Sequence, residues 1–189
     1  MKKIGILGGT FNPPHIGHLI IANEVLDALE LDEIRFMPNH VPPHKEKSEE
    51  VTDMDRLAML ENALAGNPSF YIEGIEIERK GTSYTYDTIK LLKELEPTNE
   101  FYFIIGADMI EYLPNWHRID ELVHMVNFVG VKRPGYNEKT LYPITMVKVP
   151  QMFISSSMIR RKLRTGKTVK YLIADPVVKY IKGNGLYES

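Results

Sequence analysis

Residues 5–18 read GILGGTFNPPHIGH, and the order of features in that stretch decides the fold. Lys3 to Leu7 is an apolar run bounded by Gly8 and Gly9, the punctuation of a buried strand that ends in a tight turn. Glycines at such a turn let the backbone approach a ligand closely and leave N–H groups to face an anion. Pro13 and Pro14 stiffen the turn, and Pro14 suits the first turn of a helix. His15 and His18 follow at a spacing of three, one helical turn, so both imidazoles point the same way beside the helix's positive end. Each part alone has a plainer reading. A glycine pair after a strand is common in α/β proteins, and a lone histidine is more often a structural hydrogen bonder. The histidine pair has the spacing of metal ligands, but the chain has no cysteine and no third ligand at a typical spacing. Taken together, strand, glycine turn, prolines and paired histidines make a phosphate site that offers a nucleotide positive charge and hydrogen-bond donors.

Working outward, strands and helices alternate, which predicts a parallel sheet with helices on both faces. Leu19, Ala22, Val25, Leu26 and Leu29 form the apolar stripe of a first helix. Ile34 to Met37 is the second strand, followed by the polar, proline-rich loop NHVPPHKEKSEE. A helix is predicted from Met54 to Ala65, with Leu57, Leu60 and Leu64 inward and Thr52 or Asp53 as its cap. Phe70 to Ile77 alternates as a strand, Thr85 to Leu95 is helical, and Phe101 to Ile105 is a buried strand. Asp120 to Met125 is a short helix, Phe128 to Val131 a strand, and Thr145 to Val149 an edge strand. From Ser155 onward the chain is helical and basic, with Asp175 capping a last helix that begins at Pro176 and stops at Gly183 and Gly185.

The chain of 189 residues suits one domain over 1–189, with about 155–189 as a helical C-terminal subdomain. Folding at this size buries about 70% of the unfolded surface, so neither disulfides nor a structural metal is required. The net charge is −2 with no long basic block, which argues against a general nucleic-acid surface. No cysteine, no signal-like start and no apolar run able to span a bilayer lead to an expected cytoplasmic location without membrane attachment. Oligomeric state is left open.

Other segments carry chemistry. In FIIGADMIEYLPNW, Gly106 permits close backbone approach. Asp108 at the end of a strand has three readings: a helix cap, a ribose ligand, or a ligand of magnesium directly or through water. Trp116, the only tryptophan, sits in a Pro-Asn-Trp-His loop; a buried tryptophan is usually core, but one in a loop beyond a glycine turn can stack on a flat ring. In GTSYTYDT, Ser83 and Thr85 can cap a helix whose exposed N–H groups would accept a carboxylate. Paired in space with Trp116, that turn would clamp an aromatic acid. ISSSMIRRKL sets Ser155, Ser156 and Ser157 at a helix start with Arg160 one turn inside, suited to phosphate oxygens or, more plainly, to a capped and solvated basic face. Lys45 in PPHK supplies a cation for a second phosphate or only solvated surface.

GGTFNPPHIGH resembles the T/HxGH signature of the nucleotidylyltransferase superfamily, spelled here as HIGH, which is also the signature of class I aminoacyl-tRNA synthetases. Both bind ATP on a Rossmann-like sheet and direct a nucleophile at its α-phosphorus. The chain has no room for an anticodon-binding domain. With PNHVPPHK, SYTYDT, GADMIEYLPNW, VKRPG, ISSSMIR and NGLYES, nearly the whole chain is similar to bacterial nicotinate-nucleotide adenylyltransferases.

That resemblance implies an α/β, Rossmann-like, doubly wound and mainly parallel sheet, with ATP, carried with Mg2+, and nicotinate mononucleotide as substrates. It implies that Gly8, Gly9, Thr10 and Phe11 line the nucleotide site and that His15 and His18 meet the ATP phosphates, with Arg160 completing the catalytic set. It also implies that adenosine lies by Gly106, Asp108 and the turn Ile154, Ser155, Ser156, Ser157 to Arg160. Lys45 would contact phosphate, Arg133 would lie near the mononucleotide half, and Thr85 with the backbone after Trp116 would hold the nicotinate carboxylate. Two positions depart from the family pattern: His117 stands where a tyrosine is common, and Ser157 where threonine is. The rival readings are another small-molecule adenylyl- or cytidylyltransferase, such as one acting on phosphopantetheine, and a non-catalytic nucleotide sensor on the same fold. A dehydrogenase is disfavoured because the turn lacks the GxGxxG spacing.

Overall fold

The structure, a computed structural model, describes residues 1–40, 51–131 and 140–188. The chain runs β1 (Lys3–Gly9), α1 (Ile16–Ala28), β2 (Glu33–Pro38), α2 (Asp53–Leu64), β3 (Phe70–Ile72), α3 (Ile75–Arg79) and α4 (Thr85–Leu95). It continues through β4 (Glu100–Gly106), α5 (Ala107–Tyr112), a 3-10 turn at Leu113–Asn115, α6 (Ile119–Leu122), β5 (Asn127–Val131) and β6 (Ile144–Val147). The described chain closes with α7 (Ser156–Arg164) and α8 (Asp175–Gly183). Among the described residues the strands form one sheet in the order β3-β2-β1-β4-β5-β6, every neighbouring pair parallel.

This order reverses direction between β1 and β4, the topological switch at which open α/β sheets bind ligands. The register shows why a crevice opens there. Pairing of β1 with β4 stops at Leu7 and Ile104. Beyond it β1 continues beside β2 through Gly9, and β4 continues beside β5 through Gly106. The two glycine-bearing strand ends therefore part company at the carboxyl edge of the sheet.

Alternation along the strands builds a core on each face. Phe101, Phe103 and Ile105 pack with Ile89, Leu92, Ile110 and Leu122 on one side, while Ile104 packs with Ala22, Val25, Leu60 and Leu64 on the other. A third apolar cluster joins the C-terminal segment to α2: Ile159, Val169, Ile173, Val177, Ile181 and Tyr187 pack around Met59 and Val51.

Several sequence expectations change. The glycine pair is the last part of β1 rather than its turn, and the turn is residues 10–14. Helix α1 starts only after Pro14, with His15 as its N-cap. The strand expected from Phe70 to Ile77 ends at Ile72, and the chain turns helical after Gly74. Alternation of FYIEGIEIE misled because Glu76 faces inward, buried and bonded to Thr88 Oγ1 at 2.8 Å. Leu57 is only partly buried whereas its neighbour Arg56 is buried. Asp175 is the first residue of α8, and Ala174 occupies its N-cap position.

A polar network ties the central strands to the edge. Arg35 of β2 meets Glu33 at 2.8 Å, Glu73 at 3.1 Å and Glu96 through both guanidinium nitrogens at 2.6 and 2.9 Å. Burial pushes the Glu33 carboxyl up, but hydrogen bonds from Lys2 and Arg35 outweigh it and hold the group below the ordinary carboxylate range. The bidentate contact with Arg35 lowers Glu96 in the same sense. Arg35→Leu would leave these carboxylates without their shared cation, which costs about 3–5 kcal/mol for a buried pair. Urea unfolding at about pH 7 measures that loss. Because the folded values are depressed, the contribution is present above the unfolded carboxylate values and lost as pH falls through the folded ones. The gap between wild type and variant therefore narrows in acid; a gap that is absent at neutral pH, or that widens in acid, contradicts the assignment.

Candidate active site

The turn after β1 is irregular and its backbone is fastened by distant groups. The buried Arg56 of α2 donates to the Thr10 carbonyl at 2.8 Å, and Asn39 N–H donates to the Gly9 carbonyl at 3.1 Å. Ser156 Oγ donates to the Pro13 carbonyl at 2.9 Å, and Arg160 Nη1 to the Asn12 carbonyl at 2.7 Å. The hydroxyl of Tyr187 donates to Asn12 Oδ1, both residues being buried. Phe11 adopts φ of 50° with its ring 1% exposed, a left-handed backbone that a bulky residue holds only when its surroundings impose it. Its ring lies 3.0 Å from where a Cβ on Gly9 would stand, so a side chain there would have to push the Phe11 ring by a few tenths of an ångström.

The histidines sit directly on this support. Their rings stack at 3.6 Å with an interplanar angle of 22°, and the Phe11 ring meets His18 edge-on at 5.0 Å. The His15 backbone N–H donates to His18 Nδ1 at 3.1 Å. A nitrogen that accepts carries no proton, so neutral His18 holds its hydrogen on Nε2, the far side of the ring. Gly17 permits this arrangement: a Cβ there would stand 3.0 Å from His15 Nδ1 and 3.1 Å from Cε1.

At the neighbouring strand end, Asp108 is exposed in the first turn of α5 and its carboxylate folds back over Gly106, within 2.6 Å of where a Cβ would stand. Helix α7 uses its serines locally. Ser155 caps the helix by accepting from Met158 N–H at 3.2 Å, Ser156 holds Pro13, and Ser157 Oγ accepts from Arg160 Nη2 at 3.1 Å. Ile154 is partly buried against the C-terminal cluster. Arg160, expected at the ATP phosphates, reaches the turn that carries the histidines and is part of what holds it.

The start of α4 and the tryptophan loop also come together. His117 lies 4.8 Å from the Tyr84 ring and 6.1 Å from Tyr86 between ring centroids, and the Arg118 guanidinium stands 4.0 Å over Tyr86. Trp116 is half-buried, edge-on to Phe103 and Phe128 at 5.9 and 6.0 Å. The expected capping of α4 is corrected: Tyr84 is the N-cap, without a side-chain cap, and Thr85 is the first helical residue. Ser83 is buried instead, its Oγ accepting from His40 N–H at 3.2 Å. Lys45 and Arg133 lie outside the described residues. Sequence reasoning passed over Asn12, Arg56 and Tyr187. A buried arginine inside an apolar stripe was the one available signal.

The cytidylyltransferase-like family matches residues 6–162. Nicotinate-nucleotide adenylyltransferase of Bacillus subtilis (strain 168) is 54% identical over 189 residues, spanning 100% of both chains. The protein named "Probable nicotinate-nucleotide adenylyltransferase" from Geobacillus thermodenitrificans (strain NG80-2) is 61% identical over 187 residues, 99% of this chain and 87% of that one. The chain belongs to the nicotinate-nucleotide adenylyltransferase family. Its fold matches that of Plasmodium falciparum nicotinic acid mononucleotide adenylyltransferase complexed with NaAD, with a TM-score of 0.84 at 23% identity over 100% of this chain and 98% of that one.

Gly17→Ala tests the packing of the histidine pair. The added methyl moves the His15 ring by a few tenths of an ångström, and a misplacement of ~1 Å can cost about 10²-fold in rate, so a loss of roughly tenfold is expected. The melting temperature should stay near that of wild type. Full transferase activity in the folded variant contradicts the geometry.

Proposed function

We propose that this chain joins nicotinate mononucleotide to the adenylyl group of ATP and releases pyrophosphate, a step of NAD biosynthesis. The observation that carries the reading is the placement of two half-sites at the carboxyl edge of the sheet: the histidine pair on the anchored turn after β1, and the start of α4 against the loop of Trp116. Hydrogen bonds from Asn39 to Gly9 and from His40 to Ser83 connect the two.

A phosphate oxygen of the mononucleotide attacks the α-phosphorus of ATP in line. A new P–O bond forms, the bond to the bridging oxygen breaks, and pyrophosphate leaves with its electron pair. The attacking phosphate is anionic at neutral pH, so no general base is required. Rate enhancement then rests on positioning polyanions and neutralising developing charge. His18 Nε2–H and the His15 ring serve the ATP phosphates, with Arg160 beside them. Gly8, Gly9, Thr10 and Phe11 form the floor, Gly106 and Asp108 with residues 154–157 the adenosine side. Thr85, Trp116 and His117 take the nicotinate ring and carboxylate.

ATP enters as its magnesium complex. Among the described residues no group of three or more His, Cys, Asp or Glu side chains is placed to hold a metal ion. The exposed carboxylate of Asp108 is the residue that would help hold a hydrated magnesium ion brought in with ATP. When bound, the ion supplies positive charge between the phosphates. No described helix is long and apolar enough to cross a membrane. A cytoplasmic location and one domain over 1–189 are proposed for the chain.

His18→Ala should lower turnover by about 10²–10³-fold, the size of losing one preorganised donor to developing charge. Folding should survive, since the half-buried His18 ring is not one of the core side chains. Pyrophosphate release measures it, and near-normal turnover by the folded variant removes His18 from this role.

Substrate choice provides a second expected outcome. Helix-start N–H groups at α4 match a carboxylate and offer no acceptor to an amide. A charge-assisted hydrogen bond is worth about 1.5–3 kcal/mol, so kcat/KM for nicotinate mononucleotide should exceed that for nicotinamide mononucleotide by at least about tenfold. Equal values for acid and amide overturn the carboxylate assignment.

A further inference from the structure

A continuous set of polar contacts runs behind the two half-sites, and the chemistry above uses none of it directly. Arg56 donates from Nη1 to the Thr10 carbonyl at 2.8 Å, and from Nη2 to the Asn39 carbonyl at 2.5 Å and to Asp53 Oδ1 at 2.7 Å. The other oxygen of Asp53 lies 2.6 Å from His40 Nδ1. An ionised carboxylate only accepts, so His40 carries its proton on Nδ1. The His40 backbone N–H then donates to Ser83 Oγ at 3.2 Å, immediately before α4. Ser83 and Thr88 in turn donate to the buried carboxyl of Glu76. Burial pushes that carboxyl up, against the lowering effect of the two hydroxyls.

We propose that the chain Arg56–Asp53–His40–Ser83–Glu76 is a positioning relay, with His40 as its hub through Nδ1 on Asp53 and its backbone N–H on Ser83, that sets the separation between the turn at Thr10 and the start of α4. Resting on the substrate reading above, this makes His40, Asp53 and Arg56 positioning residues for the mononucleotide, whose phosphate end and nicotinate end would meet those two places.

Three observations favour this over simple capping or stability. Helix α2 is capped by Thr52, whose side chain accepts from Asp55 N–H while Asp55 returns a bond to Thr52 N–H; Asp53 does not supply that cap. Arg56, with its side chain 5% exposed, directs its guanidinium at two loop carbonyls as well as at Asp53. Burying a guanidinium is costly, and an apolar side chain would fill the space at lower cost, so its use here secures geometry. The contacts also join elements that local sequence does not join: α2, the ends of β1 and β2, and the entry to α4. His15 and His18 stand at the start of α1 and Arg160 on α7, and the turn beneath them is also held by Ser156, Arg160 and Tyr187, so cutting the relay at His40 should disturb the start of α4 more than the ATP phosphate partners.

The test is steady-state kinetics of pyrophosphate release for His40→Leu, His40→Asn, Asp53→Asn and the His40→Leu/Asp53→Asn double variant, with melting temperatures recorded. His40→Leu and Asp53→Asn should each raise KM for nicotinate mononucleotide about tenfold, the scale of one hydrogen bond to a charged group, while KM for ATP stays within about twofold. His40→Asn places an amide donor near the position of Nδ1 and should recover most of the loss. The double variant should be no worse than the weaker single variant, since both cut the same chain. If His40→Leu does not fold, Ser83→Ala cuts the other arm and should raise the same KM. Equal rises in both KM values, additive losses, or an Asn variant as impaired as Leu overturn the relay. Unchanged kinetics in every variant of an active enzyme overturn the relay alone. A wild type that releases no pyrophosphate with nicotinate mononucleotide overturns the substrate reading and the relay with it.

Discussion

The turn from Thr10 to Pro14 has no regular secondary structure, yet Phe11, Asn12, Pro13 and Pro14 are buried, and that constraint organises much of the molecule. Buried backbone carbonyls need partners, and a turn cannot supply them from within. The chain brings partners from far away in sequence: Arg56 for Thr10, Arg160 for Asn12 and Ser156 for Pro13, while Tyr187 satisfies the Asn12 side chain. The segment from α7 to Tyr187 therefore acts as a retaining wall for the site as well as an apolar cluster on α2. The left-handed Phe11 and the glycine at position 9 are consequences of the same packing, since one ring must fit under the strand end and beside His18.

What the wall holds is a donor of defined direction. Stacking of the two imidazoles and the bond from His15 N–H to His18 Nδ1 leave Nε2 of His18 as the protonated nitrogen before any ligand arrives. A donor fixed in advance pays no reorganisation when charge develops on a phosphate, which is where fixed dipoles outperform water. The sheet contributes by geometry alone. Pairing between β1 and β4 ends at Leu7 and Ile104, so Gly8, Gly9 and Gly106, still paired to their outer neighbours β2 and β5, stand at the lips of an opening between the two strands.

Local patterns in the sequence were legible where the physics is local. The bounds of α4 from Thr85 to Leu95 coincide with expectation, its inward face being Tyr86, Thr88, Ile89 and Leu92, although the expected hydroxyl cap is absent. His15 and His18 do pair, but His15 is the extended N-cap of α1, and the bond from its backbone N–H to His18 Nδ1, as well as the spacing of three, sets the stack. The meeting of the Thr85 turn with the Trp116 loop, expected from chemistry, appears as the contact of His117 with Tyr84. Legibility failed where a distant partner overrides a local pattern. Glu76 turns a strand-like alternation into a helix because Thr88 receives it inside the fold. The roles of Arg56 and Tyr187 depend on atoms 46 and 175 residues away, and no window of sequence contains both partners. Gly17 was in view within the motif, but its reason, room for the His15 ring, exists only once the rings are placed.

The most direct test of a prebuilt site is the state of the His18 ring in the protein without nucleotide. Nitrogen-15 NMR of the side-chain imidazoles, observed above the pH at which histidines carry a second proton, distinguishes the two tautomers and detects their exchange. A preorganised donor requires one tautomer for His18, protonated at Nε2 with Nδ1 as a hydrogen-bond acceptor, already present before ATP is added. A ring protonated at Nδ1, or one averaging rapidly between both forms, would contradict it.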